Sequence, residues 1–207
     1  VISPKQMENF ARHNRENLLR ISTLSIKIVG FASAVISGVV AGFSRDILTI
    51  WLGSEFADLW LLLVLLLVPL MISLPFQPLF QLQVAAKAVK RPAQATLLAG
   101  VLNVLLAYIF VTWFNLGAVG IALSVMISYS LRTTLFTPIY GAVIQQLPKT
   151  YYIRLIVPGL LLGLLVYLLS SLASAAVTVS SILDLILAMM AIGLISLAIG
   201  YFAYFRK

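Results

Sequence analysis

A chain of 207 residues, of which 62% are hydrophobic and only 10% are charged, does not have the composition of a soluble domain. Its net charge of +8 lies mostly between the apolar stretches, which favours anionic lipid headgroups over nucleic acid as the partner of the basic residues. The absence of cysteine excludes disulfides, thiolate metal sites and cysteine nucleophiles.

Residues 1–17 are predicted to form a cytoplasmic linker. The chain begins Val1-Ile2-Ser3-Pro4, with neither Met nor a signal-peptide pattern, so we expect that the N-terminal part of a longer protein is missing. A bilayer span needs about 20 mainly apolar residues. On that criterion residues 18–207 are predicted to form an all-α transmembrane lobe of about six helices, with spans near 18–43, 57–82, 93–114, 117–139, 151–173 and 180–204.

The positive charge of the connections alternates along the chain. Lys and Arg occur in the N-terminal segment, at 87–91, at 132–154 and at the C terminus, whereas 115–117 and 174–179 contain none. The first loop has Arg45 against the acids Asp46, Glu55 and Asp58. Because basic loops stay on the cytoplasmic side, six spans with both termini cytoplasmic satisfy this pattern. We therefore expect a multi-pass protein of a cytoplasmic membrane.

The first span carries Gly30, Ala34, Gly38 and Gly42 at a spacing of four, which predicts a face against which a neighbouring helix packs closely. The same span contains Lys27, about nine residues from its start, or roughly 13 Å along a helix. Charge at this depth is costly and indicates function. Two interpretations are open: Lys27 faces a substrate cavity, or its stem extends back to the headgroups.

The second span contains Pro69, Pro75 and Pro78, each of which removes a backbone N–H and kinks a helix. Gln77 and Gln81 lie beside these breaks and are candidate cavity residues. A moving or cavity-lining element and a static kink both fit the pattern.

Polar residues in the later spans complete the candidate site. Asn103 lies in the middle of the third span, where it forms an interhelical hydrogen bond or lines a cavity. Arg132 lies in a hydroxyl-rich part of the fourth span, and facing a cavity or extending to the headgroups are both open to it. Asp184 opens the sixth span, where a capping box with Ser181 is favoured over an ion-coupling site.

The sequence contains no carboxylate pair, no metal-ligand cluster, no Ser/His/Asp set and no phosphate-binding glycine loop. The predicted outer loops are also too short to hold a catalytic domain. The sequence therefore predicts a protein without enzymatic activity, metal or cofactor.

Three segments resemble a known family, namely Phe43–Phe56, Ala85–Pro92 and Asn115–Ala122. They are similar to the segment after the seventh helix, the basic turn after the eighth and the outer turn opening the tenth helix of polysaccharide flippases. These are the Wzx-like members of the MOP (multidrug/oligosaccharidyl-lipid/polysaccharide) exporter superfamily. The similarity covers about residues 1–150, and the last two spans match only in hydropathy.

The resemblance implies that the chain is the C-terminal six-helix lobe of a two-lobe transporter of a bacterial or archaeal cytoplasmic membrane. The implied activity moves a polyprenyl-pyrophosphate-linked oligosaccharide to the outer leaflet for surface polysaccharide biosynthesis. Lys27 and Arg132 are candidates for neutralising the pyrophosphate. A small-molecule exporter of the same superfamily and a membrane enzyme of glycan assembly, such as a polymerase or ligase, remain as alternatives.

Overall fold

The structure is a computed structural model, and it describes residues 15–176 and 181–205. In chain order the α-helices are α1 (Arg15–Gly42), α2 (Ser44–Leu52), α3 (Trp60–Ser73), α4 (Gln77–Ala85), α5 (Lys90–Thr112), α6 (Gly117–Leu131), α7 (Thr137–Ile144), α8 (Tyr151–Ala176) and α9 (Ile182–Phe205). Two 3₁₀ segments cover Ser54–Leu59 and Leu74–Phe76, and a π-helical segment covers Arg132–Phe136. Within the described ranges there is no β-strand, which confirms the predicted all-α class.

Among the described residues, five helical stretches are long and apolar enough to cross a membrane, and one shorter apolar helix follows them. They are Glu16–Gly42, Ser54–Ala85, Lys90–Thr112, Gly117–Ile144 and Tyr151–Ala176, with the shorter helix at Ile182–Ala198. Each corresponds to one predicted span. Because α1 already begins at Arg15, residues 15–17 of the predicted linker are helical. The rest of that linker lies outside the described residues.

The chain divides into two compact units. Unit 1 comprises Val1–Gly30 and Ile72–Val157, and unit 2 comprises Phe31–Met71 and Pro158–Lys207. Each unit is therefore assembled from two separate stretches of sequence. The boundaries fall inside α1, α3 and α8, the three helices that pass from one unit to the other.

In unit 2, the small-residue face of α1 packs closely against α8. Ala34 is fully buried, and a Cβ added to Gly38 would lie 2.8 Å from the carbonyl oxygen of Gly163. A Cβ on Gly42 would meet the side chain of Ser170. The backbones approach this closely because neither glycine has a side chain. The predicted close packing is confirmed for this part of the face, and its partner includes Gly163.

The rest of the unit 2 core surrounds that contact. Phe43, between α1 and α2, is fully buried in a cluster with Val39, Val166 and Leu185. The segment after the first span forms the short helix α2, which is followed by a 3₁₀ segment. The carboxylate of Asp46 in α2 accepts a hydrogen bond from Ser174 Oγ at 2.6 Å.

In unit 1, the second span is broken as predicted. Helix α3 ends at Ser73, a 3₁₀ turn containing Pro75 follows, and α4 begins at Gln77. The side chain of Leu79 in α4 packs over Gly141 of α7. The antiparallel pair α5 and α6 packs along its length beside them, although α5 itself has no buried residue. The α4–α7 contact and the α5–α6 pair position the candidate site.

Candidate functional site

Arg132 opens the π-helical turn between α6 and α7. Its backbone carbonyl accepts the N–H of Thr137, five residues later, instead of the usual four. The cause lies in the next residue: Pro138 has no N–H to donate, and its ring clashes with the carbonyl four residues before it. A wider turn accommodates that clash without ending the helix. Such turns inside α-helices occur frequently at functional sites.

The Arg132 guanidinium lies between aromatic rings and has no acidic partner in the described part of the chain. Its Cζ is 5.2 Å from the ring centre of Phe80 and 5.9 Å from that of Tyr129. Its Nε is buried and has no hydrogen-bond partner among the described residues. The two rings offer partial electrostatic compensation through their π faces. One N–H donor of a permanently charged group is left unused.

Two cavities adjoin Arg132 in the α5–α6 pair. The first, of about 180 Å³, has polar lining from Thr96, Asn103, Ser128 and Tyr129. The second, of about 210 Å³, is almost wholly apolar, and it is lined by Ala95, Leu98, Ala99, Leu102, Ser128, Leu131, Arg132 and Phe136. Arg132 lines both. One cation therefore stands at the junction of two grooves: a mainly apolar one that carries four polar side chains, called the polar cavity below, and an almost wholly apolar one.

Asn103 fits both interpretations open to it. Its Oδ1 accepts a hydrogen bond from Ser124 Oγ at 2.8 Å, which joins α5 to α6. Asn103 also lines the polar cavity beside Arg132. The structure therefore brings together two of the predicted site residues.

Lys27 lies elsewhere in unit 1, on a different helix. It is half-buried, and within the described residues it makes no hydrogen bond, ion pair or ring contact. Its helix face is not covered by the described residues: Leu24 and Ile28 are each 49% exposed, and Arg20 is exposed one turn before Leu24. Among the described residues, the Lys27 ammonium therefore has no partner, and exposed apolar side chains lie beside it.

The glutamines beside the break in the second span differ in burial, which the sequence analysis did not predict. Gln77 is exposed, and Gln81 is partly buried with a polar partner. Gln83, not predicted as a site residue, is 2% exposed, and its Nε2 donates to the Thr137 carbonyl at 3.4 Å. No signal in the sequence marked Gln83, because the burial of Leu79, four residues earlier on the same helix face, is known only from the structure.

The carboxylate of Asp184 is hydrogen-bonded at the start of its own helix. Its carboxylate accepts the N–H of Ser181 at 3.0 Å, while the Asp184 N–H donates to Ser181 Oγ at 3.2 Å. These reciprocal bonds confirm the predicted capping box. They leave the carboxylate with a structural role at the start of α9.

The helices and their hydropathy define an all-α, multi-pass integral membrane protein. Over 154 residues the chain is 31% identical to the protein described as uncharacterized membrane protein EpsK of Bacillus subtilis (strain 168). The match covers 74% of this chain and 30% of that protein, so the chain spans less than a third of the curated relative it matches. No family model matches the chain, and neither does any solved structure.

Proposed function

We propose that this chain is the C-terminal six-helix lobe of a flippase that moves a polyprenyl-pyrophosphate-linked oligosaccharide across the cytoplasmic membrane of a bacterium or archaeon. The substrate is then used for surface polysaccharide biosynthesis. The resemblance of Phe43–Phe56, Ala85–Pro92 and Asn115–Ala122 to polysaccharide flippases supports this proposal. The match to a membrane protein over three quarters of the chain is consistent with it.

The observation that carries the proposal is Lys27 on α1, which has no partner among the residues that the structure describes. A cation held at membrane depth without a protein partner is costly, and such groups mark substrate pathways. A pyrophosphate brings negative charge that would otherwise enter a low dielectric uncompensated. Lys27 supplies a charge of the opposite sign to this substrate, and the second lobe that this proposal implies would enclose the substrate against α1.

The alternative of a small-cation exporter requires an acidic group in the cavity. The predicted spans contain two acids: Asp58, the second residue of its span, and Asp184, whose carboxylate is bonded to its own helix end. A membrane polymerase or ligase requires a catalytic set in a long outer loop, and the connection from Trp113 to Leu116 is only a turn. The charge and loop lengths therefore favour an anionic transported substrate.

The activity is tested in cells that lack the complete protein. We expect lipid-linked oligosaccharide to accumulate on the cytoplasmic leaflet, because its synthesis continues while its exit is blocked. Re-expression of the complete protein should return the pool to its normal level, as measured by extraction and by accessibility to an impermeant glycosidase. An unchanged pool with normal surface polysaccharide would contradict the proposal.

Orientation is tested separately with single cysteines, since the chain contains none of its own. Exposed Ser54 and Ala176 are expected to label from outside intact cells when replaced by cysteine. Cysteine at exposed Lys90 or Lys149 should label only after permeabilisation. Ala176 is preferable to Ser174, whose hydroxyl is bonded to Asp46. Labelling of Lys90→Cys from outside would reject both termini being cytoplasmic.

A further inference from the structure

We propose that the junction of the two grooves between α5 and α6 is a binding site for a resident anionic phospholipid. Its phosphate would lie at Arg132 and in the polar cavity, and part of an acyl chain would lie in the apolar groove. This site is independent of the proposed transport activity. It also separates the roles of the two membrane-depth cations, since Arg132 would serve a resident lipid and Lys27 the transported one.

The charge of Arg132 requires an anion that the described residues do not supply. A guanidinium stays protonated in proteins, so burial cannot neutralise it. Phe80 and Tyr129 contact the charge through their π faces, but neither accepts the buried Nε–H. A phosphate oxygen is the acceptor that a guanidinium binds best, because its geometry allows two parallel hydrogen bonds.

The position of the polar cavity suits a lipid phosphate. Thr96, which lines it, lies six residues after Lys90, or about 9 Å along α5 from the basic end of that helix. Basic residues at this end attract the anionic lipids of the membrane surface. The cavity is thus within reach of the headgroup layer and well away from the opposite end of the helix.

A second cation, Arg91, is linked to the apolar groove through an aromatic pair. The Arg91 guanidinium lies 5.8 Å from the ring centre of Tyr140, which stacks on Phe136 at 5.3 Å. Phe136 in turn lines the groove together with Arg132. A chain of contacts therefore connects Arg91, at the basic end of α5, to the groove that Arg132 lines.

The apolar groove suits a hydrocarbon chain. Small Ala95 and Ala99 form its floor between larger side chains, among them Leu98, which is 69% exposed. No residue of α5 is buried in this chain, so the helix presents apolar side chains to its surroundings along its length. The polar cavity, at about 180 Å³, is smaller than the roughly 300–1,000 Å³ of a site for a drug-sized ligand. Its volume has room for a phosphate group.

The test uses the complete protein purified in detergent and in nanodiscs. We expect phosphatidylglycerol to copurify and to be retained in native mass spectra, whereas phosphatidylcholine is lost. Arg132→Ala should lower the retained phosphatidylglycerol by at least about tenfold, as expected when a charge-assisted pair is removed. Arg154→Ala, which removes an equal charge at an exposed position, should leave retention unchanged.

A second pair of variants examines the groove itself. Ala95→Phe fills the apolar groove without changing charge and should also lower retention, whereas Gly193→Ala, in α9 of unit 2, should not. If Arg132→Ala does not fold, the unaltered protein still decides the question. Its Tm should be higher in phosphatidylglycerol nanodiscs than in phosphatidylcholine nanodiscs. Equal retention of both lipids by the unaltered protein, or full retention by Arg132→Ala, would overturn the proposal.

Discussion

Replacing Lys27 with alanine is expected to lower transport of lipid-linked oligosaccharide by the complete protein at least about tenfold while its membrane level stays unchanged. A hydrogen bond to a charged group contributes about 1.5–3 kcal/mol, which is roughly a ten- to hundredfold change in rate if the bond is made in the rate-limiting step. Folding should tolerate the change, because Lys27 has no partner among the described residues to leave unsatisfied. The measurement is the lipid-linked oligosaccharide remaining on the cytoplasmic leaflet.

The control variants separate charge from geometry. Lys27→Arg keeps the charge but replaces a compact ammonium with a planar fork, so it should retain part of the activity. Arg154→Ala removes an exposed cation and should transport normally. If the stem of Lys27 only extends to the headgroups, alanine is tolerated and insertion becomes easier by roughly 2–3 kcal/mol. Full transport by Lys27→Ala would therefore reject Lys27 as the substrate cation.

The second large effect is expected from adding one methyl group to Gly38. In Gly38→Ala, the new Cβ would lie 2.8 Å from the carbonyl oxygen of Gly163 and 2.9 Å from Val166 Cβ. Backbone and a β-branched side chain cannot move aside easily, so α1 and α8 must separate. Overpacking of this kind costs about 1–3 kcal/mol, and Gly38→Leu should cost more.

The measurement is the folded yield and Tm of the complete protein in detergent. Gly193→Ala and Gly100→Ala are matched controls, because an added Cβ at either position meets nothing within 4 Å. Both should leave Tm unchanged or raise it slightly, since alanine favours a helix by about 1 kcal/mol over glycine. Equal Tm for Gly38→Ala and Gly193→Ala would mean that the α1–α8 contact contributes nothing to stability.

The features that the sequence predicted correctly are those with local causes. Hydropathy is a property of each stretch by itself, so the positions of the apolar helices were predictable. The capping box of Ser181 and Asp184 needs residues three apart, and the break at Pro75 needs one residue. The four-residue spacing of Ala34 and Gly38 predicted close packing on that face of α1.

The features that were missed depend on the partner of each helix. Nothing in α1 alone identifies Gly163 as the neighbour of Gly38. Gln77 was selected as a site residue and Gln83 was not, because composition does not show which amide faces inward. The contact of Gln83 with α7 does show it. The cavities at Arg132 likewise exist only where α5 and α6 meet. Such information is nonlocal and was outside the reach of a single sequence.

The π-helical turn at Arg132–Phe136 shifts by one residue the positions that face inward along the helical stretch from Gly117 to Ile144. Its inward positions step by four through Gly120, Ser124 and Ser128, then by five to Thr133, and by four again to Thr137 and Gly141. In a regular α-helix, a step of five would turn the stripe about 140° past its starting direction, because each residue turns about 100°. The wider turn absorbs the extra residue and keeps the stripe on one side. In the language of sequence alignment, the turn is a single-residue insertion, and a relative with a regular helix here would align with a one-residue gap between Ser128 and Thr133.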